Sequence, residues 1–269
     1  MAPLSWAAGF IRKQTKLKVS YGKLRGHRYG ESALESVEND AIKRYLGIII
    51  MSRKPEHLRN RLDLRGWERI DAALARGRGV VLLTAHLGTP KLLRWYLRCQ
   101  AYPVIHVYRF GIPARAKSVE QRFKLLLRKR HNLDQEALVG GHGVDYIKGA
   151  LDHLRKNGIV NISGDGPRGS RRVAITVAGA EKTLPIGGFM LGSLAGAEIL
   201  PVFSQISSHA ALQIEVQEPL RAGEYTSREE HINQLAAAYA ERLDAFLKDH
   251  PTVAGSSTWF RDKRRRPAA

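Results

Sequence analysis

The chain has 269 residues, with 44 Lys and Arg against 25 Asp and Glu, giving a formal charge of +19. A hydrophobic fraction of 43% supplies a sizeable core and excludes wholesale disorder. The single cysteine, Cys99, excludes an intramolecular disulfide and a multi-cysteine zinc site and fits a reducing compartment. No apolar run approaches the roughly 20 residues of a bilayer span. The basic balance implies anionic partners: nucleic acid, acidic lipid head groups or phosphorylated small molecules.

At the N-terminus, Leu4, Trp6, Phe10 and Ile11 precede seven basic residues, Arg12, Lys13, Lys16, Lys18, Lys23, Arg25 and Arg28, all before the first acid, Glu31. An apolar anchor beside a basic cluster suits an interfacial segment on an anionic membrane. The plainer alternative is a solvated terminus. The order, apolar first and basic afterwards, is the reverse of a secretory signal. Residues 1–60 are therefore read as a helical, basic, membrane-facing segment.

From residue 61 the pattern becomes regular. Residues 79–84 form a continuous apolar run that reads as a strand buried on both faces. Similar short strands are expected at residues 102–108, Ile159–Ser163, residues 199–203 and Leu212–Val216, with Arg172–Val177 as a further edge strand. Between them, Val119, Phe123, Leu126 and Leu127 mark a helix over residues 117–130. Val144, Ile147, Leu151 and Leu154 mark another, with Gly158 as its stop. A third starts at the capping box Ser227-x-x-Glu230, presents Ile232, Leu235, Tyr239, Leu243, Phe246 and Leu247, and ends before Pro251. Strands alternating with helices predict an α/β fold: one domain with a mixed, largely parallel sheet flanked by helices. Residues 61–262 form that domain and residues 263–269 a basic tail.

Three segments follow strands and carry reactive residue types. In Thr84-Ala-His86-Leu-Gly88-Thr-Pro-Lys91, the histidine stands at a strand's carboxyl end, where open α/β sheets bind ligands. A lone histidine is often structural, but a neutral imidazole there can take a proton from a hydroxyl. In Ile162-Ser-Gly164-Asp165-Gly166-Pro167-Arg168, the bland reading is a tight turn. The sharper one gives Arg168 a phosphate to hold and Asp165 the His86 imidazole to orient. Arg109, after Tyr108, is either an ordinary surface residue or a second wall of an anion pocket. Pro201, in Ile199-Leu-Pro201-Val202-Phe203, suggests an edge position or a bulge.

In order, these segments resemble the glycerolipid and lysophospholipid acyltransferase superfamily. Residues 77–88 (GRGVVLLTAHLG) look like the strand that leads into its His-x4-acid motif. Tyr108-Arg109 is similar to the second motif, Asp165-Gly166-Pro167-Arg168 to the third, and Leu200-Pro201-Val202 to the fourth. The Tyr-Arg pair, and a Trp near basic residues at residues 259–266, resemble the lipid A lauroyl/myristoyl acyltransferase branch. The resemblance covers residues 62 to 266.

It implies acyl transfer from a thioester, acyl-CoA or acyl-acyl carrier protein, to a hydroxyl of a lipid or glycolipid. His86 would be the general base. Backbone amides near Gly88, or Arg109, would face the oxyanion. Arg168 would hold a phosphate of donor or acceptor. No metal and no bound cofactor are expected, and the place implied is the cytoplasmic face of the bacterial inner membrane, held peripherally. One departure stands out: Lys91 occupies the position of the motif's acid, and a lysine disfavours the imidazolium that must form. Either Asp165 takes over as the orienting carboxylate, or the chain is a catalytically degenerate membrane-binding homologue. A basic nucleic-acid-binding protein is disfavoured by the absence of zinc-ligand and RNP-type patterns. A serine hydrolase is disfavoured by the absence of a Gly-x-Ser-x-Gly elbow.

Overall fold

Val80–Thr84 (β2) is buried at all five positions, as its unbroken apolar run requires. The computed structural model, which describes residues 62–87, 90–108, 137–139, 145–165, 171–206, 212–250 and 253, gives the reason. β2 is the middle strand of a seven-stranded sheet. The other strands are β1 (Leu62–Arg65), β3 (Val104–Tyr108), β4 (Ala137–Val139), β5 (Ile159–Ser163), β8 (Glu198–Ile206) and β9 (Leu212–Val216), in the spatial order β1-β9-β8-β2-β5-β3-β4. Every pairing is parallel except β8 with β9. The sheet is mixed and largely parallel, with helices on both faces, as the strand–helix alternation predicts.

Alternation along β2 sends its side chains into two cores. Val81 and Leu83 pack with α3 (Asp145–Arg155), α4 (Gly187–Ala195) and α5 (Arg228–Asp249), through Leu154, Phe189 and Tyr239 among others. Val80 and Leu82 pack with α1 (Glu68–Leu74) and α2 (Pro90–Cys99), through Ile70, Leu93, Trp95 and Leu97. Each fully buried aliphatic side chain contributes roughly 1.5–3 kcal/mol. This double cover therefore fixes β2 from both faces.

Two connections hold the amino end of β2. Asn157 ends α3 in the left-handed conformation (φ 60°), and Gly158 N donates to His153 O. The helix stop thus falls one residue before the glycine that marks it in the sequence; asparagine tolerates that conformation. Asn157 also accepts from Gly79 N and donates to Leu74 O, tying α3, β2 and α1 together. At the start of α5, Ser227 Oγ accepts from Glu230 N, as expected. The Glu230 carboxylate accepts from Thr226 N and Oγ1 as well.

Two expectations are corrected. Arg172–Val177 is a strand (β6), but not an edge of the main sheet. It pairs antiparallel with β7 (Ala180–Pro185) in a separate two-stranded ribbon packed on α5. Pro201 marks neither an edge nor a bulge, since β8 lies between β2 and β9 with Pro201 opposite Leu83. The ladder with β9 runs from Ile206 back to Val202, and Pro201 O still accepts from Gln217 N at 2.9 Å. The proline sits where that ladder ends, so its missing N–H removes only one terminal bond. Residues 1–61, the helix expected over residues 117–130 and the tail lie outside the described residues.

Candidate active site

β2 and β5 are neighbours and parallel, with Thr84 opposite Ser163. Gly164 N donates to Thr84 O at 2.7 Å, which carries the ladder one step past both strands. One residue further stand His86 and Asp165. His86 N donates to Asp165 Oδ2 at 2.7 Å, and His86 Nδ1 lies 2.8 Å from Asp165 Oδ1. Each carboxylate oxygen therefore receives one nitrogen of the same histidine, so backbone and ring are oriented together.

The two partners differ in environment. The Asp165 side chain is 0% exposed, whereas that of His86 is 56% exposed. Burying a carboxylate costs several kcal/mol unless hydrogen bonds compensate it. The amide and the ring of His86 provide those bonds, and charge-assisted contacts of this length are among the stronger ones. With Nδ1–H donated to Asp165, the basic lone pair of a neutral imidazole lies on Nε2.

Beneath the strand end lies a residue that sequence reasoning treated only as part of an apolar helix face. Tyr239 of α5 is fully buried, packs edge-on against Phe189, and donates to Thr84 O at 3.4 Å. Burial pushes its phenol well above the ordinary tyrosine range, and the nearby Asp165 charge adds to the shift. The hydroxyl therefore remains a neutral donor under the carbonyl next to the His86 turn. A tyrosine on an otherwise apolar stripe was the one signal of it, because a buried hydroxyl needs a partner.

Of the residues singled out in the sequence, the structure brings His86 and Asp165 together and places Pro201 one strand over, beside Leu83. Lys91 is the second residue of α2, and its side chain lies outside the described residues. Gly88, Arg109, Gly166 and Arg168 also lie outside them. Arg109 directly follows β3, the strand beside β5. Among the described residues, no three His, Cys, Asp or Glu side chains gather to hold a metal ion.

The family model described as bacterial lipid A biosynthesis acyltransferase matches residues 35–262, most of the chain. The chain belongs to that family. No curated protein matches it. Membership supports the lipid A branch of the resemblance, and with it an acyltransferase whose acceptor is a lipid. In this lipid A acyltransferase family member, among the described residues, no helix is long and apolar enough to cross a membrane.

Proposed function

We propose that the chain transfers a fatty acyl group from an acyl thioester, on coenzyme A or acyl carrier protein, to a hydroxyl of a lipid or glycolipid acceptor. The observation that carries this reading is the two-point contact between His86 and the buried Asp165 carboxylate. His86 Nε2 takes the proton of the acceptor hydroxyl as its oxygen attacks the thioester carbon. The tetrahedral intermediate places negative charge on the former carbonyl oxygen, for which the Gly88 amide and Arg109 are the assigned donors. Collapse breaks the carbon–sulfur bond. The leaving thiolate takes the proton back from the imidazolium, and ester and thiol are the products.

Asp165 fixes the imidazole tautomer and stabilises the imidazolium. In this reading it fills the role of the acid that Lys91 displaces from the His-x4-acid motif. Arg168 holds a phosphate of donor or acceptor by its guanidinium fork, and Gly166 is assigned to the same anion site. The basic N-terminal segment holds the chain on the anionic inner face of the bacterial inner membrane. Lys91 favours a second reading, a catalytically silent homologue that binds membranes. One experiment separates the two. The full chain is incubated with acyl-CoA or acyl-acyl carrier protein plus a bacterial membrane extract, and acylated lipids are sought by mass spectrometry. A new ester product that disappears with His86→Ala supports transfer. Binding to anionic vesicles without consumption of either donor supports the silent homologue.

A further inference from the structure

Glu198 opens β8 at the end of the sheet opposite His86. It pairs with Val80, four residues and about 13 Å of strand before Thr84. At this end lies a pocket of about 700 Å³, a size typical of small-molecule sites. Its polar wall includes Arg76, Arg78, Glu198, Arg221, Tyr225 and His231, set against small residues and the aliphatic side chains of Ile199, Leu220 and Leu235.

The wall has a charge excess. Arg76 and Arg221 both donate to one carboxylate oxygen, Glu198 Oε1, with Arg221 Nη2 at 2.6 Å. Arg78 pairs with no carboxylate among the described residues. Three guanidinium groups thus face one carboxylate. Glu198 is held under them, its side chain 12% exposed, and sets two of the three in place. Guanidinium forks anchored in this way match the oxygen spacing of a phosphate.

The wall also carries a flat apolar plate. The Tyr225 ring lies 4.2 Å from that of His231 at an interplanar angle of 9°, and Tyr225 is 51% exposed. His231 is itself held by Ser193, whose Oγ is 3.3 Å from Nδ1. One face of Tyr225 is spent on His231, so its exposure presents an aromatic surface beside the arginines. Aromatic faces of this kind stack planar bases with little preference among them.

We infer that this pocket is a second ligand site of the chain, which takes a nucleoside-phosphate-like molecule: a planar ring on Tyr225 and a phosphate on Arg78, Arg76 and Arg221. It is separate from the His86–Asp165 end, with the length of β2 between them.

The test is calorimetric titration of the full chain with AMP, with inorganic phosphate and with adenosine, at fixed ionic strength. AMP binds at one site per chain, and phosphate and adenosine each bind at least about tenfold more weakly. Arg78→Ala weakens AMP and phosphate by about tenfold, as loss of one charge-assisted contact should. Tyr225→Ala weakens AMP by about tenfold and leaves phosphate within about twofold. His86→Ala leaves AMP binding unchanged. Three results overturn the assignment: no heat at millimolar AMP, AMP binding that Arg78→Ala and Tyr225→Ala both leave intact, or AMP binding that His86→Ala abolishes.

Discussion

His86 and Asp165 are 79 residues apart, the same offset that relates each facing pair along β2 and β5, from Val80 and Ile159 to Thr84 and Ser163. The pair thus continues a strand register past the last ladder residues. A histidine on one flexible loop and a carboxylate on another would have to be brought together at an entropic cost of about 1–2 kcal/mol per ordered residue. Here two buried strands have already met most of it, and the residues just past each strand complete the approach.

That argument makes Gly79 a control point for the site, because it sets the entry of β2. Its φ is +72°, and a Cβ there would stand 2.5 Å from Leu154 O and 2.9 Å from Gly158 O. Gly77 has the same φ, but a Cβ there meets nothing within 4 Å. Gly79→Ala is expected to destabilise by about 2 kcal/mol or more, from backbone strain and overpacking together. Gly77→Ala carries the strain alone, about 1–2 kcal/mol. Urea unfolding of the two variants measures the difference, and equal losses would show that the Leu154 and Gly158 carbonyls do not confine the strand.

Tyr239 supports the site from below without entering the chemistry. Tyr239→Phe removes the donor to Thr84 O and is expected to cost about 1 kcal/mol of stability. Tyr239→Ala empties a fully buried position and is expected to cost about 3–5 kcal/mol. The turnover of Tyr239→Phe should stay within about fivefold of the parent, since a bond net worth about 1 kcal/mol is all that is lost. A loss of two orders of magnitude at unchanged stability would make the phenol a participant in catalysis.

The cap of α5 predicts a pH dependence. Hydrogen bonds from Thr226 N and Oγ1 hold the Glu230 carboxyl below its ordinary range. A group depressed in the folded state stabilises the fold above its unfolded value, about 4.3 for glutamate. That contribution is lost as pH falls through the lower folded value. Glu230→Gln should therefore melt below the parent at neutral pH, with the two converging in acid. Melting curves at neutral and acid pH check it, and a gap that widens in acid reverses the sign.

How far the sequence reveals this molecule varies with the physics behind each signal. β2 and β5 are legible almost to the residue, because burial in the middle of the sheet demands a largely apolar run, and β9 is legible by its alternation of Leu212, Ile214 and Val216 with Gln213 and Glu215. β7 is not, because Ala180–Pro185 buries only Leu184 and reads as polar loop. Without β7, the partner of β6 is invisible, and Arg172–Val177 reads as an edge of the wrong sheet. Pro201 misleads because strand chemistry warns against proline in a central strand, whereas the place where a ladder ends depends on the neighbouring strand's length. The pairing of Asp165 with His86 is legible as chemistry, a carboxylate and an imidazole each just past a strand. Its geometry requires β2 and β5 to be neighbours, which only the fold decides. The support from Tyr239 comes from a helix 155 residues beyond Thr84 and has no local signature beyond its hydroxyl.

The histidine itself gives a prediction that separates chemistry from folding. His86→Ala removes a side chain that is 56% exposed but keeps the backbone N–H on Asp165 Oδ2. Among the described residues, the buried carboxylate then retains one of two donors, at a cost of about 1–3 kcal/mol. The fold is expected to survive, with a lowered melting temperature, while acyl transfer falls by at least about 10². Substantial transfer by a folded His86→Ala would remove the histidine from the reaction.

The central claim is that Asp165 supplies the carboxylate that Lys91 displaces. The most direct measurement is the acyl-transfer rate of Asp165→Asn and Lys91→Ala beside the parent, each checked for folding by its melting curve. The account predicts that Asp165→Asn loses about 10²–10⁴ in rate, the range seen when a histidine loses its orienting carboxylate, while Lys91→Ala stays within about threefold. An Asp165→Asn variant that transfers acyl groups at the parental rate would contradict it.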